Sequence, residues 1–104
     1  MSKELDHFDI CGQSVKDSIT GKMFGHPVYK IQNKAFVCFF HGDIVCKLDP
    51  VNLEKALALK GSQLFDPSGK KRPMKEWVQI KYKHKKAWLE HCQHAATYVE
   101  SLIK

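Results

Sequence analysis

Long apolar runs are missing from this sequence. The longest, Ala35 to Phe40, covers six residues, whereas a membrane-spanning helix needs roughly 20. The first ten residues, MSKELDHFDI, put acidic side chains where an export signal carries its apolar stretch, so a cytoplasmic protein without membrane association is expected. Repeats, low-complexity tracts and Pro- or Gly-rich linkers are also absent, which predicts one domain over 1–104. Glycine-flanked serines, phosphate-cradling glycine loops and carboxylate pairs at catalytic spacing do not occur. On that ground neither enzymatic activity nor a cofactor is expected.

Cysteine occurs only as Cys11, Cys38, Cys46 and Cys92, with none of the close paired spacings of zinc or redox motifs. Each lies in an apolar pattern. Without an export signal, reduced and buried thiols are expected rather than two disulfides. His91, Cys92 and His94 share one helical stretch, but a tetrahedral zinc site there would need another cysteine to converge, so no metal is predicted. His41 could activate Cys38 or Cys46 as a nucleophile. Cys38, however, shares a strand face with Phe36 and Phe40, which reads as core.

What the chain has in excess is positive charge, and it is gathered in one place. The formal net charge is +6. The stretch Asp66 to Lys86 holds eight of the 17 basic residues (Lys70, Lys71, Arg72, Lys75, Lys81, Lys83, Lys85 and Lys86) and two of the 11 acids, Asp66 and Glu76. Nine residues of each sign remain elsewhere, so this stretch carries the whole excess. Concentrated charge offers a polyanion a landing place, where the same charge spread evenly would only favour solubility.

Hydrophobic residues make up 43% of the chain, too many for a disordered tail. Leu5, Phe8, Cys11 or Gly12, Val15 and Ile19 recur at helical spacing, predicting a helix over about Lys3 to Ser18 that Gly12 weakens. Val28–Gln32, Ala35–Phe40 and Ile44–Leu48 read as three antiparallel strands joined by turns at Asn33-Lys34 and His41-Gly42-Asp43. Asp49-Pro50 opens a helix with Leu53, Ala56 and Leu57 as its buried stripe, and Gly61 suits the left-handed position beyond it. Ser62–Phe65 reads as extended, Asp66-Pro67-Ser68-Gly69 as a type I turn, and Glu76–Tyr82 as an alternating strand. A final helix follows, with Trp88, Cys92, Ala95, Val99 and Leu102 on one stripe and His91 and His94 flanking it towards the surface. The order α-βββ-α-ββ-α predicts an α+β fold: two layers, with an antiparallel sheet of about five strands covered by helices on one face.

Several motifs are collinear with a known family. Gly21-Lys22-Met23-Phe24-Gly25, the hairpin ending Lys34-Ala35-Phe36, and Val45-Cys46-Lys47-Leu48 resemble the N-terminal domain of TfoX/Sxy-type proteins. Leu64 to Gly69 followed by Arg72-Pro73-Met74-Lys75-Glu76-Trp77 resembles that group's small stand-alone members, and a more distant likeness links the chain to MmcQ/YjbR-like domains. The resemblance runs from about Gly21 to the C-terminus and implies an α+β fold with an antiparallel sheet. His26-Pro27 and Asn33 stand where TfoX proteins commonly have glycine. TfoX proteins regulate competence genes and carry a second, C-terminal domain without a counterpart in this sequence, so a competence role is not carried over.

The functional expectation is therefore a regulatory binding module without catalysis. Its site would be a basic rim with Lys70, Lys71, Arg72 and Lys75 as one arm and Lys81, Lys83, Lys85 and Lys86 as the other. The partner would be nucleic acid, met at its phosphates, or an acidic protein surface. Trp77, Tyr82 and Trp88 interleave with these charges and would stack on unpaired bases, unless they are core residues beneath a solvated lysine surface. The alternative is a protein-interaction module or homodimer that uses the sheet face or the Met23-Phe24 pair, with no nucleic-acid binding.

Overall fold

Two tight hairpins set the register of the sheet. In the first, Gln32 and Asn33 have φ of 49° and 68°, and in the second His41 and Gly42 have φ of 49° and 85°. Two consecutive left-handed residues match the right-handed twist of the strands they join. The computed structural model of the chain describes residues 3–23, 25–66 and 74–103. In order these form α1 (Lys3–Gln13), β1 (Ile19–Met23), β2 (His26–Ile31), β3 (Lys34–Phe40), β4 (Asp43–Lys47), α2 (Pro50–Leu57), β5 (Gln63–Phe65), β6 (Met74–Ile80), a 3-10 turn (Tyr82–His84) and α3 (Lys85–Ile103). The six strands make one antiparallel sheet in the order β1-β2-β3-β4-β6-β5. The fold is α+β, as expected, with one strand more than the sequence pattern predicts.

That strand is β1. The helical spacing that ran on to Ile19 breaks earlier, because serine hydroxyls satisfy the last helical carbonyls. Ser14 Oγ donates to the Cys11 carbonyl at 2.6 Å and Ser18 Oγ to the Gly12 carbonyl at 2.8 Å, while Asp17 turns the chain with φ of 67°. Ile19 then begins an edge strand and is 60% exposed. The first hairpin turn also sits one residue earlier than expected, at Gln32-Asn33. Asp49 precedes α2 with Pro50 at its first position, but its carboxylate accepts from the Asn52 side-chain amide at 2.8 Å and makes no cap bond to the backbone. That amide is the main cause holding the Asp49 carboxyl below its usual pKa. Gly61 is left-handed, φ 90°, beyond the end of α2. Pro67 to Gly69, in the expected type I turn, and Phe24 lie outside the described residues.

The main core lies between one sheet face and the helices. Phe8 and Cys11 from α1, Ala56 from α2, and Trp88, Cys92, Ala95 and Val99 from α3 meet Tyr29, Val37, Ile44, Cys46, Val78 and Ile80 of the sheet. A register shift opposite Tyr29/Lys30 makes Phe36 an extra residue in β3, so Phe36 and Val37 are both buried on the helix side. The other face has its own smaller cluster of Val28, Cys38, Val45, Phe65 and Trp77. Leu102 and Ile103 fall on opposite sides of the stripe's centre at 100° per residue, and it is Ile103 that packs on the core, leaving Leu102 53% exposed. His91, expected near the surface, is 3% exposed.

Gly12 has a positive reason to be in α1. A Cβ there would stand 2.3 to 2.5 Å from three ring atoms of Tyr29. The ring lies against the helix backbone, and its hydroxyl donates to Asp9 Oδ1 at 3.0 Å and accepts from Gln13 Nε2 at 3.3 Å. This contact seats α1 on β2 and thereby places Lys3 and His7 beside the start of α3.

Candidate nucleic-acid interface

The link from β6 to α3 is built to display lysines. Lys81 is extended (φ −67°, ψ 152°), and its carbonyl accepts from His84 N at 3.0 Å and from the indole Nε1 of buried Trp88 at 3.1 Å. Because Trp88 is anchored in the core, those bonds fix the 3-10 turn and the first turn of α3. Two histidines brace the segment from outside. His7 Nε2 donates to the Lys85 carbonyl at 2.8 Å, and His84 Nε2 donates to the Lys60 carbonyl at 2.7 Å. A carbonyl only accepts, so both rings carry their proton on Nε2 in these bonds.

Around this brace lysines converge from four parts of the chain. The ammonium groups of Lys3 and Lys85 lie 5.7 and 5.4 Å from the centroid of the Tyr82 ring, and both are within cation–π range. Lys81 and Lys83 run across Gly61; a Cβ there would lie 3.4 Å from Lys81 Cγ and 3.7 Å from Lys83 Nζ, ordinary contact distances. Lys60 precedes that glycine. Lys83, His84, Lys85 and Lys86 line a shallow concavity of about 360 Å³ at the amino end of α3. The first turn of that helix has no acidic residue to offset the lysine charge.

Two ion pairs modify the pattern. Lys81 Nζ lies 3.4 Å from Oδ2 of Asp43, a 7%-exposed carboxylate that also accepts from Gln79 Nε2 at 2.7 Å. Lys81 is thus largely spent on Asp43. Lys47 lies 3.8 Å from Glu76, which also accepts from the Tyr98 hydroxyl. Lys3, Lys60, Lys83, Lys85 and Lys86 are exposed and make no ion pair among the described residues.

Of the expected rim, the structure brings Lys81, Lys83, Lys85 and Lys86 together. Lys75 is exposed at the far end of β6, about 20 Å along the strand from Lys81. Lys70, Lys71 and Arg72 lie outside the described residues. Trp77 and Trp88 are 8% and 0% exposed and are core residues, unavailable to stack on bases. Tyr82 alone of the three aromatics is partly open, edge-on to Trp88 and flanked by Lys3 and Lys85. Lys3, Lys60, His7 and His84 were not legible as site residues, because only the tertiary fold brings them to this turn.

The thiols offer no activated nucleophile. All four cysteines are free and buried. Burial pushes Cys11 and Cys38 up to about 11 from an ordinary 9.0 and raises Cys46 and Cys92 further, the opposite of what thiolate chemistry requires. His7 Nε2 lies 3.8 Å from Cys11 Sγ, yet its proton is committed to Lys85. No helix among the described residues is long and apolar enough to cross a membrane. No family model matches this chain, and neither the curated proteins nor the solved structures contain a match to it.

Proposed function

We propose that this chain is a TfoX N-terminal-domain-like binding module that docks on nucleic acid through the lysine cluster around the β6–α3 turn, in a regulatory role. The observation that supports the reading is the convergence of Lys3, Lys60, Lys83, Lys85 and Lys86 on one braced turn, with no ion pair to a carboxylate among the described residues. Ammonium groups contact phosphate oxygens as point charges, which positions a strand without reading its bases. Tyr82 is partly exposed and available to meet a base or sugar beside them. Lys70, Lys71, Arg72 and Lys75 are the second arm of the same proposed rim.

The test is charge reversal. Replacing Lys83, Lys85 and Lys86 with glutamate should abolish retention on DNA and heparin columns while circular dichroism stays unchanged. Undiminished retention by a folded triple variant would remove this reading. Binding to an acidic protein but not to oligonucleotides would move the partner to the protein class.

A protein-interaction module is the second reading, favoured by one feature. A groove of about 590 Å³ runs between the sheet and the end of α3, lined by Met23, Ala35, Trp77, Val99, Leu102 and Ile103 with Lys34 and Lys47 at its rim. Binding there would survive high salt, because apolar burial is not screened.

A further inference from the structure

The α3 face turned towards α2 holds a second group of side chains, unconnected with the lysine cluster. Glu90, His91 and His94 fall within about 100° of arc on the helix, since His94 is one turn beyond both of the others. One donor atom from each lies within 4.8 Å of the other two. The two imidazoles meet edge-on with centroids 5.8 Å apart. His91 is 3% exposed, and the Nδ1 atoms of both His91 and His94 are shut away from solvent without a hydrogen-bond partner among the described residues.

Buried ring nitrogens are normally satisfied. Two left unpaired on adjacent turns, beside a carboxylate, form a donor set in search of an acceptor of lone pairs. Neutral imidazole nitrogen and carboxylate oxygen together suit a borderline divalent ion better than calcium or magnesium, which take oxygen alone. Cys92, the thiol nearest in sequence, is excluded as a ligand: its Sγ points into the core and donates to the Cys11 carbonyl at 3.3 Å. His94 also borders a concavity of about 300 Å³ with Asp49, Asn52, Tyr98 and Ser101, which gives an ion a route in and room for water.

We propose that α3 carries a binding site for one divalent transition-metal ion, zinc by its donor chemistry. It would be held by the Glu90 carboxylate and one ring nitrogen each of His91 and His94, with the remaining coordination open to water. Three protein ligands with an open position is an established zinc arrangement. Bond lengths of about 2.0–2.2 Å place ligand atoms roughly 3.3 Å apart in a tetrahedron, so the group must tighten from its present spread. Glu90 is exposed and free to rotate inward. The neighbouring helix α2, which packs on α3, carries one cation, Lys55. Lys55 is exposed and its removal leaves the core untouched.

Titration calorimetry of the full chain with zinc chloride, repeated with cobalt(II) for its visible absorption, tests the site. About one equivalent should bind, with Glu90→Gln and His94→Gln each weakening affinity roughly tenfold or more and Lys55→Gln strengthening it. Imidazole proton resonances offer a test without any variant. Those of His91 and His94 should move on zinc addition, while those of His7, His26, His41 and His84 stay in place. The proposal fails if zinc does not bind saturably, if it binds equally well to folded Glu90→Gln and His94→Gln, or if the other histidines respond instead.

Discussion

Replacing Gly12 with alanine separates two accounts of α1 by the sign of the result. If α1 were an ordinary helix with a stray glycine, alanine would stabilise it by about 1 kcal/mol. In this fold the added methyl carbon would stand 2.3 Å from Tyr29 Cδ1 and 2.5 Å from Cγ and Cε1, where carbon atoms prefer about 3.5–4.0 Å. The ring cannot easily retreat. It is 3% exposed, packs on Phe8 at 5.5 Å between centroids, and is tied by its hydroxyl to Asp9 and Gln13. Overpacking of this kind costs about 3 kcal/mol at the upper end of its usual range, and the helical gain returns about 1. The net expectation is a loss of about 2 kcal/mol, or roughly 10 °C in melting temperature for a domain of this size. Urea denaturation followed by circular dichroism gives the midpoint, and an unchanged m-value would tie the shift to the native state. In a Tyr29→Leu background the clash disappears, so Gly12→Ala should there be neutral or stabilising. A stabilising Gly12→Ala in the parent chain, or the same cost in both backgrounds, would refute the packing argument.

Three other outcomes follow from the structure. Cys11 and Cys38 titrate near 11 when folded against about 9.0 when unfolded, so the unfolded chain loses its thiol protons first. Stability should hold below pH 9 and fall as pH rises from there towards 11, and Cys38→Ala should make that fall shallower in denaturation midpoints measured across the range. Gln32 and Asn33 occupy left-handed backbone, where a residue with a Cβ pays about 1–2 kcal/mol; the pair Gln32→Asn, Asn33→Gly should raise stability by up to about 1 kcal/mol in thermal melts. Because Asp43 already neutralises Lys81, Lys81→Ala should leave the salt dependence of DNA binding nearly unchanged, whereas Lys85→Ala should lower the slope by about one.

The sheet was legible where local chemistry decides it. Asn33 and His41-Gly42 mark turns that need positive φ, alternation in Glu76–Tyr82 fixes which side chains face the helices, and the α3 stripe from Trp88 to Val99 survives intact. The failures came where distant residues decide. Nothing local distinguishes Ile19 as a strand residue, since the serine hydroxyls that end α1 act through hydrogen bonds a periodicity count does not see. Gly12 reads as a weakness until Tyr29 is placed against it. His91 flanks the apolar stripe by spacing alone, yet α2 covers that side of α3 and buries it. The same holds for the proposed rim. Its charge excess and four of its lysines stand out in Lys81 to Lys86, whereas Lys3 and Lys60 join only because His7 and His84 anchor their segments to the turn.

The most direct measurement is the affinity for a short DNA duplex as a function of salt. Five lysines without an ion pair among the described residues contribute about −4.5 to the log–log slope if each meets a phosphate, so a loss of at least roughly 500-fold is expected between 50 and 200 mM salt, and more if the second arm engages. In the Lys83→Glu, Lys85→Glu, Lys86→Glu variant that binding should be gone. No binding at low salt, or binding with a slope near zero that survives the triple reversal, would contradict the account.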